Sequence, residues 1–394
     1  MLSLPFRHIK QAGFTILAST AAHLFSPLTI RSVTMRNRVW VPPMCQYSVF
    51  NRDGVPTSWH QIHLGGMAVG GAGLIIAEAT AVSFDGRITV HDTGIWNDEQ
   101  RDAWKTIVDF LTEHGAVAGI QLAHAGRKSS VRPDWNFAGA AGPMPESEGG
   151  WIPIAPSAIP FDETSTTPRE MTVADIQRVT EDFRAATRRS IAAGFQVLEI
   201  HAAHGYLLHE FLSPLSNTRT DEYGGSLENR AKFLLDILDV VRAEAGEEIA
   251  VFVRFSATDW AEGGWTPEET SIVAGWCAAR GADFFDISTG GNYPGVTIPT
   301  GPSYQVTFSD QVKHSAHVST AAVGLITDAE IANEIIVSGQ ADAVLLGREH
   351  MRDPHFALRA SAELGIEIDY WPAQYLRSRP RSAVTTPTTA KVAF

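Results

Sequence analysis

Cysteine is nearly missing from this chain: its 394 residues contain two, Cys45 and Cys277. Two thiols cannot by themselves ligate an iron–sulfur cluster or build a disulfide framework. Long apolar runs are missing too, since none approaches the ~20 residues of a membrane span, and no membrane partner is expected. Positive charge is in deficit, with 31 Lys and Arg against 44 Asp and Glu and a formal net charge of −13. A nucleic-acid binder needs a basic face to neutralise phosphates, so that class is excluded. The N-terminal stretch is itself short of acid, its first carboxylate being Asp53. Arg7, His8 and Lys10 precede a mildly apolar GFTILASTAA. Residues 1–23 therefore read as a disordered extension in preference to a leader peptide.

With 44% hydrophobic and 19% charged residues, the chain has ample apolar material for a large core. Short apolar or β-branched runs alternate with helical patterns. The strand candidates are 39–44, 74–79, 117–122, 197–202, 250–256, 284–289, 321–326 and 343–348. Helical patterns lie between them at 98–114, 172–193, 226–245, 267–280 and 328–338. Thr172 with Asp175 predicts a capping box, and Asp328 a second N-cap. Strands apolar on both faces, each followed by a helix, imply a parallel sheet covered by helices. An open doubly wound sheet would want a GxGxxG turn after its first strand, and here that strand runs into Pro-Met-Cys-Gln-Tyr. The fold class expected is α/β, a single (β/α)₈ TIM barrel over 24–377, with a tail at 378–394. The connection after the third strand is long and carries Trp135, Trp151 and several prolines and glycines. It leaves a strand's C-terminal end and so belongs to the face where such barrels build their sites.

Polar residues gather at those strand ends: Cys45 and Tyr47, Glu78 and Ala79, Gln121, then His201, His204 and Tyr206. Arg254 closes the fifth strand, Ser288 to Gly291 follow the sixth, Gly324 the seventh, and Gly347 with Arg348 the eighth. Loops seven and eight often cradle phosphate through backbone N–H groups, and Arg348 adds a bidentate donor. Tight turns alone would also use those glycines. His201 and His204, with Glu199 and His209 near in sequence, suggest either a metal site, as in a metal-dependent barrel hydrolase, or two neutral imidazoles polarising one oxygen. The second fits better, because the ends of strands five to eight offer no further His/Asp cluster, so no metal is expected. Arg254 needs a buried anionic partner, Glu78 or Asp286, or stands beside a ligand that gains negative charge. Cys277, in a helical pattern, reads as a small buried hydrophobe.

Four stretches make the pattern specific: PPMCQY (42–47), IQLAHAGRK (120–128), EIHAAHGYLLHEFLSPLSNTRTDEYGGSLENR (199–230) and LLGREHMRDP (345–354). From about Leu24 to about Arg377 the chain resembles the Old Yellow Enzyme family, in the thermophilic-like branch that carries cysteine after the first strand. The resemblance implies an FMN-dependent ene-reductase using NADPH or NADH and acting on activated alkenes. It implies Pro43, Met44, Cys45, Ala79, Gln121 and Arg254 along the flavin ring, and Gly324, Gly347 and Arg348 at its phosphate. Cys45 would tune the flavin and modulate substrate binding. His201 and His204 would grip the substrate's oxygen, with Tyr206 as proton donor and Tyr47 as a second phenol. Lys128 would meet the nicotinamide cofactor's phosphate at the mouth, and Arg377 a neighbouring subunit's site in a homodimer or homotetramer. A cytoplasmic enzyme is expected. A non-catalytic flavin-binding barrel is the remaining alternative, and the intact His201, His204 and Tyr206 set argues against it.

Overall fold

Eight parallel strands close on themselves: β1 (Val39–Val41), β2 (Leu74–Ala81), β3 (Val117–Ala123), β4 (Val197–Ala202), β5 (Ala250–Ser256), β6 (Phe284–Ser288), β7 (Thr320–Ala322) and β8 (Ala343–Leu345). The last pairs with the first, Val344 opposite Val39. Eight helices cover the outside: α1 (Ser58–Val69), α2 (Asp98–Glu113), α3 (Val173–Ala193), α4 (Leu227–Ala245), α5 (Pro267–Ala279), α6 (Val306–Ala316), α7 (Ala329–Val337) and α8 (Phe356–Glu363). This is the (β/α)₈ barrel that the strand–helix alternation implies. The computed structural model describes residues 22–133 and 142–380. Most of the expected N-terminal extension (1–21), part of the long third connection (134–141, with Trp135) and most of the expected tail (381–394) lie outside the described residues.

Period-two alternation explains how each strand serves two cores. Val251, Val253 and Phe255 of β5 face the helices, while Phe252 faces the barrel interior with Trp40, Leu74, Val197, Phe284 and Leu345. At the bottom of the interior Trp40, Phe252 and Phe284 stack within 4.9–5.9 Å centroid to centroid. A short antiparallel hairpin, Leu28–Ile30 with Val33–Met35, closes that end by adding Ile30, Val33 and Met35 to the same cluster. Large side chains thus fill the floor, and the inward positions above them are left for polar groups.

Three expected strands are too long. The first ends at Val41 because Pro42 and Pro43 have no N–H to donate to a ladder. The seventh ends at Ala322, since Gly324 (φ 119) and Leu325 (φ 53) leave the extended region. The eighth ends at Leu345, and Gly347 and Arg348 open a short helix, Gly347–Arg352. The predicted caps do form: Thr172 and Asp175 make a reciprocal box, and the Asp328 side chain accepts from Glu330 N and Ile331 N. Helices α1 and α6 gave no clear periodic signal, α1 being interrupted by Gly65 and Gly66.

Thr172→Ala should cost about 1 kcal/mol, the usual loss of an N-cap, read as a lower urea midpoint with unchanged slope. Asp175 also accepts from Thr172 N and Thr172 Oγ1, so a cost near zero would show that the carboxylate alone caps α3.

Candidate active site

Going up the barrel interior, the inward columns change from aromatic and aliphatic to charged. On β4 the sequence is Val197, Glu199, His201; on β5 Phe252, Arg254, Ser256; on β6 Phe284, Asp286, Ser288. Register brings Gln121 opposite Glu199, and Arg254 opposite both His201 and Asp286. Gln121 Nε2 donates to Glu199 Oε1 at 2.8 Å. Arg254 Nε stands 2.7 Å from Asp286 Oδ2, an ion pair without good hydrogen-bond alignment. Of the two anionic partners expected for Arg254, Asp286 is the one found. Burial drives both carboxyls toward the neutral form, Glu199 up to about 8 with Asp286 adding to the effect, and Asp286 up to about 6 against the pull of Arg254.

Glu78 is occupied elsewhere. A bulge in β2, where Ala77 pairs Ile120 and Ala79 already pairs Gln121, leaves Glu78 out of the ladder. Its carboxylate sits 2.8 Å from His60 Nε2 of α1 and accepts from Gln46 N at 2.6 Å. The bulge therefore ties down the segment that carries Pro43, Met44, Cys45 and Tyr47, and leaves Ala79 in register beside Gln121. The Cys45 thiol, half-buried, is pushed up by burial and then by Glu78 and Asp92, so it stays protonated.

The loop after β4 holds the two histidines and a phenol together. The His201 ring is 5.2 Å from His204 and 5.0 Å from Tyr206 between centroids, edge-on to both. Burial, then the Arg254 cation, hold both imidazoles well below the usual histidine range, so they are neutral. His204 Nε2 is engaged with Ser288 Oγ at 2.8 Å, which leaves Nδ1 as its nitrogen for a ligand. Lys128 turns inward: its Nζ donates to His204 O and Gly291 O and lies 4.7 Å from the Phe161 ring and 5.1 Å from that of Tyr206. Tyr47, Lys128, Phe161 and Tyr206 line one cavity at the mouth. A second hollow is lined by Gln305, Gly324, Gly347 and Arg348, and Arg348 pairs with no carboxylate among the described residues.

The structure thus gathers Cys45, Tyr47, Ala79, Gln121, Lys128, His201, His204, Tyr206 and Arg254 at one end of the barrel, with Gly324, Gly347 and Arg348 beside them. Arg377 does not join them; it lies against α8, near Ser361 and Gly365. His209 does not converge with the other histidines either. It accepts from Gly205 N and faces Asp259, and among the described residues no three His, Cys, Asp or Glu side chains form a metal-ligand group. Gln305 went unnoticed in the sequence, yet its Oε1 accepts from Ser288 and Thr289. It precedes the weakly patterned α6, so no motif marked it.

Fold and site are those of a (β/α)₈-barrel oxidoreductase, with polar groups and a glycine-lined hollow gathered at its C-terminal mouth. The NADH:flavin oxidoreductase / NADH oxidase family model matches residues 23–367, and the chain belongs to that family, within which Old Yellow Enzyme falls. It is 48% identical over 355 residues to an NADPH dehydrogenase of Listeria innocua, covering 90% of this chain and 98% of that one. An NADPH dehydrogenase of Geobacillus thermodenitrificans is 46% identical over 354 residues, with the same coverage. Among solved structures, morphinone reductase superposes with a TM-score of 0.73 at 31% identity, covering 89% of this chain and 92% of that one. The protein is accordingly an FMN-dependent oxidoreductase.

The carboxyl pair behind Arg254 has a measurable consequence. A raised folded-state pKa means stability present at low pH and lost as pH rises, because the folded chain must ionise a group that its surroundings keep neutral. Flavin-free protein should therefore lose stability as pH climbs from about the ordinary carboxylate range, 4.5 for glutamate, to about 8. Glu199→Gln keeps the acceptor for Gln121 and removes the charge, so its urea midpoint should fall less across that window. Parallel pH curves for the two proteins would refute the buried-charge assignment.

Proposed function

We propose that the protein reduces the activated C=C bond of α,β-unsaturated carbonyl or nitro compounds, with NADPH or NADH as reductant and Tyr206 as proton donor. The observation that carries this reading is a pair of neutral imidazoles, with His201 about 5 Å from both the His204 ring and the Tyr206 phenol at the barrel mouth. The names of the Listeria and Geobacillus relatives favour NADPH, and a morphinone reductase structure in complex with tetrahydroNAD, TM-score 0.72, favours a nicotinamide at this mouth.

Pro43, Met44, Cys45, Ala79, Gln121 and Arg254 would hold the FMN ring, and Gly324, Gly347 and Arg348 its phosphate. The donor set suits that ligand: an amide and a guanidinium for the ring's polar edge, and a guanidinium without a carboxylate partner beside glycine backbone for a dianion. Bound FMN supplies hydride chemistry. His201 and His204, each neutral, would grip the substrate's carbonyl or nitro oxygen and draw electron density from the alkene. His204 would do so through an Nδ1–H, which requires Ser288 to turn its proton from Gln305 to His204 Nε2. Arg254 holds a fixed positive charge near the ring, and Tyr206 delivers a proton to the α-carbon. The phenol, with a reference pKa of about 10, keeps that proton at neutral pH. In this reading Lys128 braces the loop as well as meeting the nicotinamide cofactor, and Arg377 serves a neighbouring subunit's site in a homodimer or homotetramer.

Purified protein should show flavin absorbance and oxidise NADPH faster when cyclohexenone is present; a colourless protein would overturn the assignment. Arg348→Ala should weaken FMN binding by roughly 1.5–3 kcal/mol, the worth of a hydrogen bond to a charged group; equal affinity in fluorescence titration would remove Arg348 from the phosphate site. Tyr206→Phe should slow reoxidation by cyclohexenone about 10²–10⁴-fold while reduction by NADPH stays near wild type. Stopped-flow measurement of the two half-reactions separates these effects, and equal reoxidation rates would exclude Tyr206 as the donor.

A further inference from the structure

The loop bearing His204 and Tyr206 passes through two consecutive left-handed residues, His204 (φ 60) and Gly205 (φ 72). A Cβ at position 205 would stand 2.2 Å from the Gly291 carbonyl oxygen, so only glycine fits. The buried Gly205 amide donates to His209 Nδ1 at 2.9 Å. A ring nitrogen that accepts carries no proton, so the neutral His209 ring has its proton on Nε2. That nitrogen stands 3.1 Å from Asp259 Oδ1, off the ideal hydrogen-bond line, with both side chains fully buried.

Asp259 is clamped through its other oxygen. Oδ2 accepts from Ser213 Oγ at 2.5 Å, Trp265 N at 3.0 Å and Asn292 Nδ2 at 3.4 Å, while Asp259 N donates to Trp265 O at 3.0 Å. Burial alone would raise this carboxyl. The His209 ring beside it and the donors from Ser213 and Trp265 outweigh burial and bring the group below the ordinary carboxylate range, so it is ionised. A buried anion thus faces a histidine whose orientation and tautomer hold the turn between the oxygen-binding imidazole and the phenol.

We propose that Asp259 and His209 are positioning residues for the proton donor: Asp259 keeps His209 in its Nε2–H form, and that form fixes the Gly205 turn aiming His204 and Tyr206. The proposal rests on the reading of Tyr206 as donor. Asp259→Asn tests it with almost no change of shape. Trp265 N–H still requires an oxygen at the Oδ2 position, so the new NH₂ must take the Oδ1 position and point at His209 Nε2–H. Two donors then face each other. The ring proton moves to Nδ1, where it confronts the Gly205 N–H and opens the turn.

In ¹⁵N-histidine spectra, wild-type His209, identified by its loss in His209→Asn, should show an unprotonated Nδ1, and Asp259→Asn should show it protonated. With flavin content retained, Asp259→Asn should bind phenol more weakly and slow cyclohexenone reduction, each by up to about 10²-fold, the scale of an ångström of misplacement. His209→Asn can offer its amide oxygen to Gly205 whatever stands at 259, so Asp259→Asn should add little to it. His209→Leu, with no acceptor, should lose phenol affinity where His209→Asn retains it, which decides the matter if Asp259→Asn does not fold. A wild-type Nδ1 that carries the proton would overturn the proposal. So would unchanged phenol affinity in a folded Asp259→Asn, or equal losses in the Asn and Leu variants. The tautomer is read without turnover. A colourless wild-type protein would therefore sink the oxidoreductase reading separately.

Discussion

A permanent cation inside the barrel is the constraint around which the rest is arranged. Arg254 is 6% exposed, pointing inward from the middle of β5. Such a charge is tolerable only with an anion close by and further polar groups around it. Asp286, its neighbour in register on β6, supplies the anion. Glu199 across on β4 adds a second carboxyl whose charge the site resists, and Gln121 satisfies one of its oxygens. The layer below must then exclude water, which Trp40, Phe252 and Phe284 do by stacking across the floor. In the layer above, burial and then the Arg254 charge keep His201 and His204 neutral.

Above that layer, side chains on neighbouring helices and loops anchor the two segments that carry chemistry. The Cys45–Tyr47 segment is held by Glu78, which the β2 bulge frees from the ladder and His60 of α1 meets. The His204–Tyr206 turn is held from three sides: Ser256 Oγ accepts from His204 N at 2.9 Å, Lys128 binds the His204 carbonyl, and His209 accepts from Gly205. The short helix Leu207–Leu212 links this turn to the next loop. His209 serves Gly205, while Glu210, one residue on, accepts from Arg127 N at 2.8 Å beside Lys128. Both segments at the mouth are therefore held by hydrogen bonds to their backbone from side chains of other elements.

How much of this was legible in the sequence depended on whether the signal was periodic or local. The barrel was legible, because apolar strands and helical patterns alternate along the chain and α3 is announced by its capping box. Strand ends at β7 and β8 were not. Leu325, Ile326 and Leu346 are as apolar as strand residues, and hydropathy cannot tell a ladder from the turn or helix that follows it. Helix α1, with two glycines and two histidines, hid for the opposite reason, having little intrinsic helix preference.

The site divides along the same line. Residues on strand ends, such as Gln121, His201 and Arg254, could be placed from their position in an apolar run. Their partners could not, because pairing across the barrel joins positions far apart in the chain, such as Glu199 with Gln121 or Ser288 with Gln305. His209 shows the difference most sharply. In sequence it stands five residues beyond His204 and invites a metal reading. Helix Leu207–Leu212 begins directly after Tyr206, which brings His209 back under Gly205 with its Nδ1 already committed. A nitrogen that accepts from a buried amide has no lone pair left for a metal. That hydrogen bond removes one ring nitrogen from the metal reading, and the family match decides for flavin.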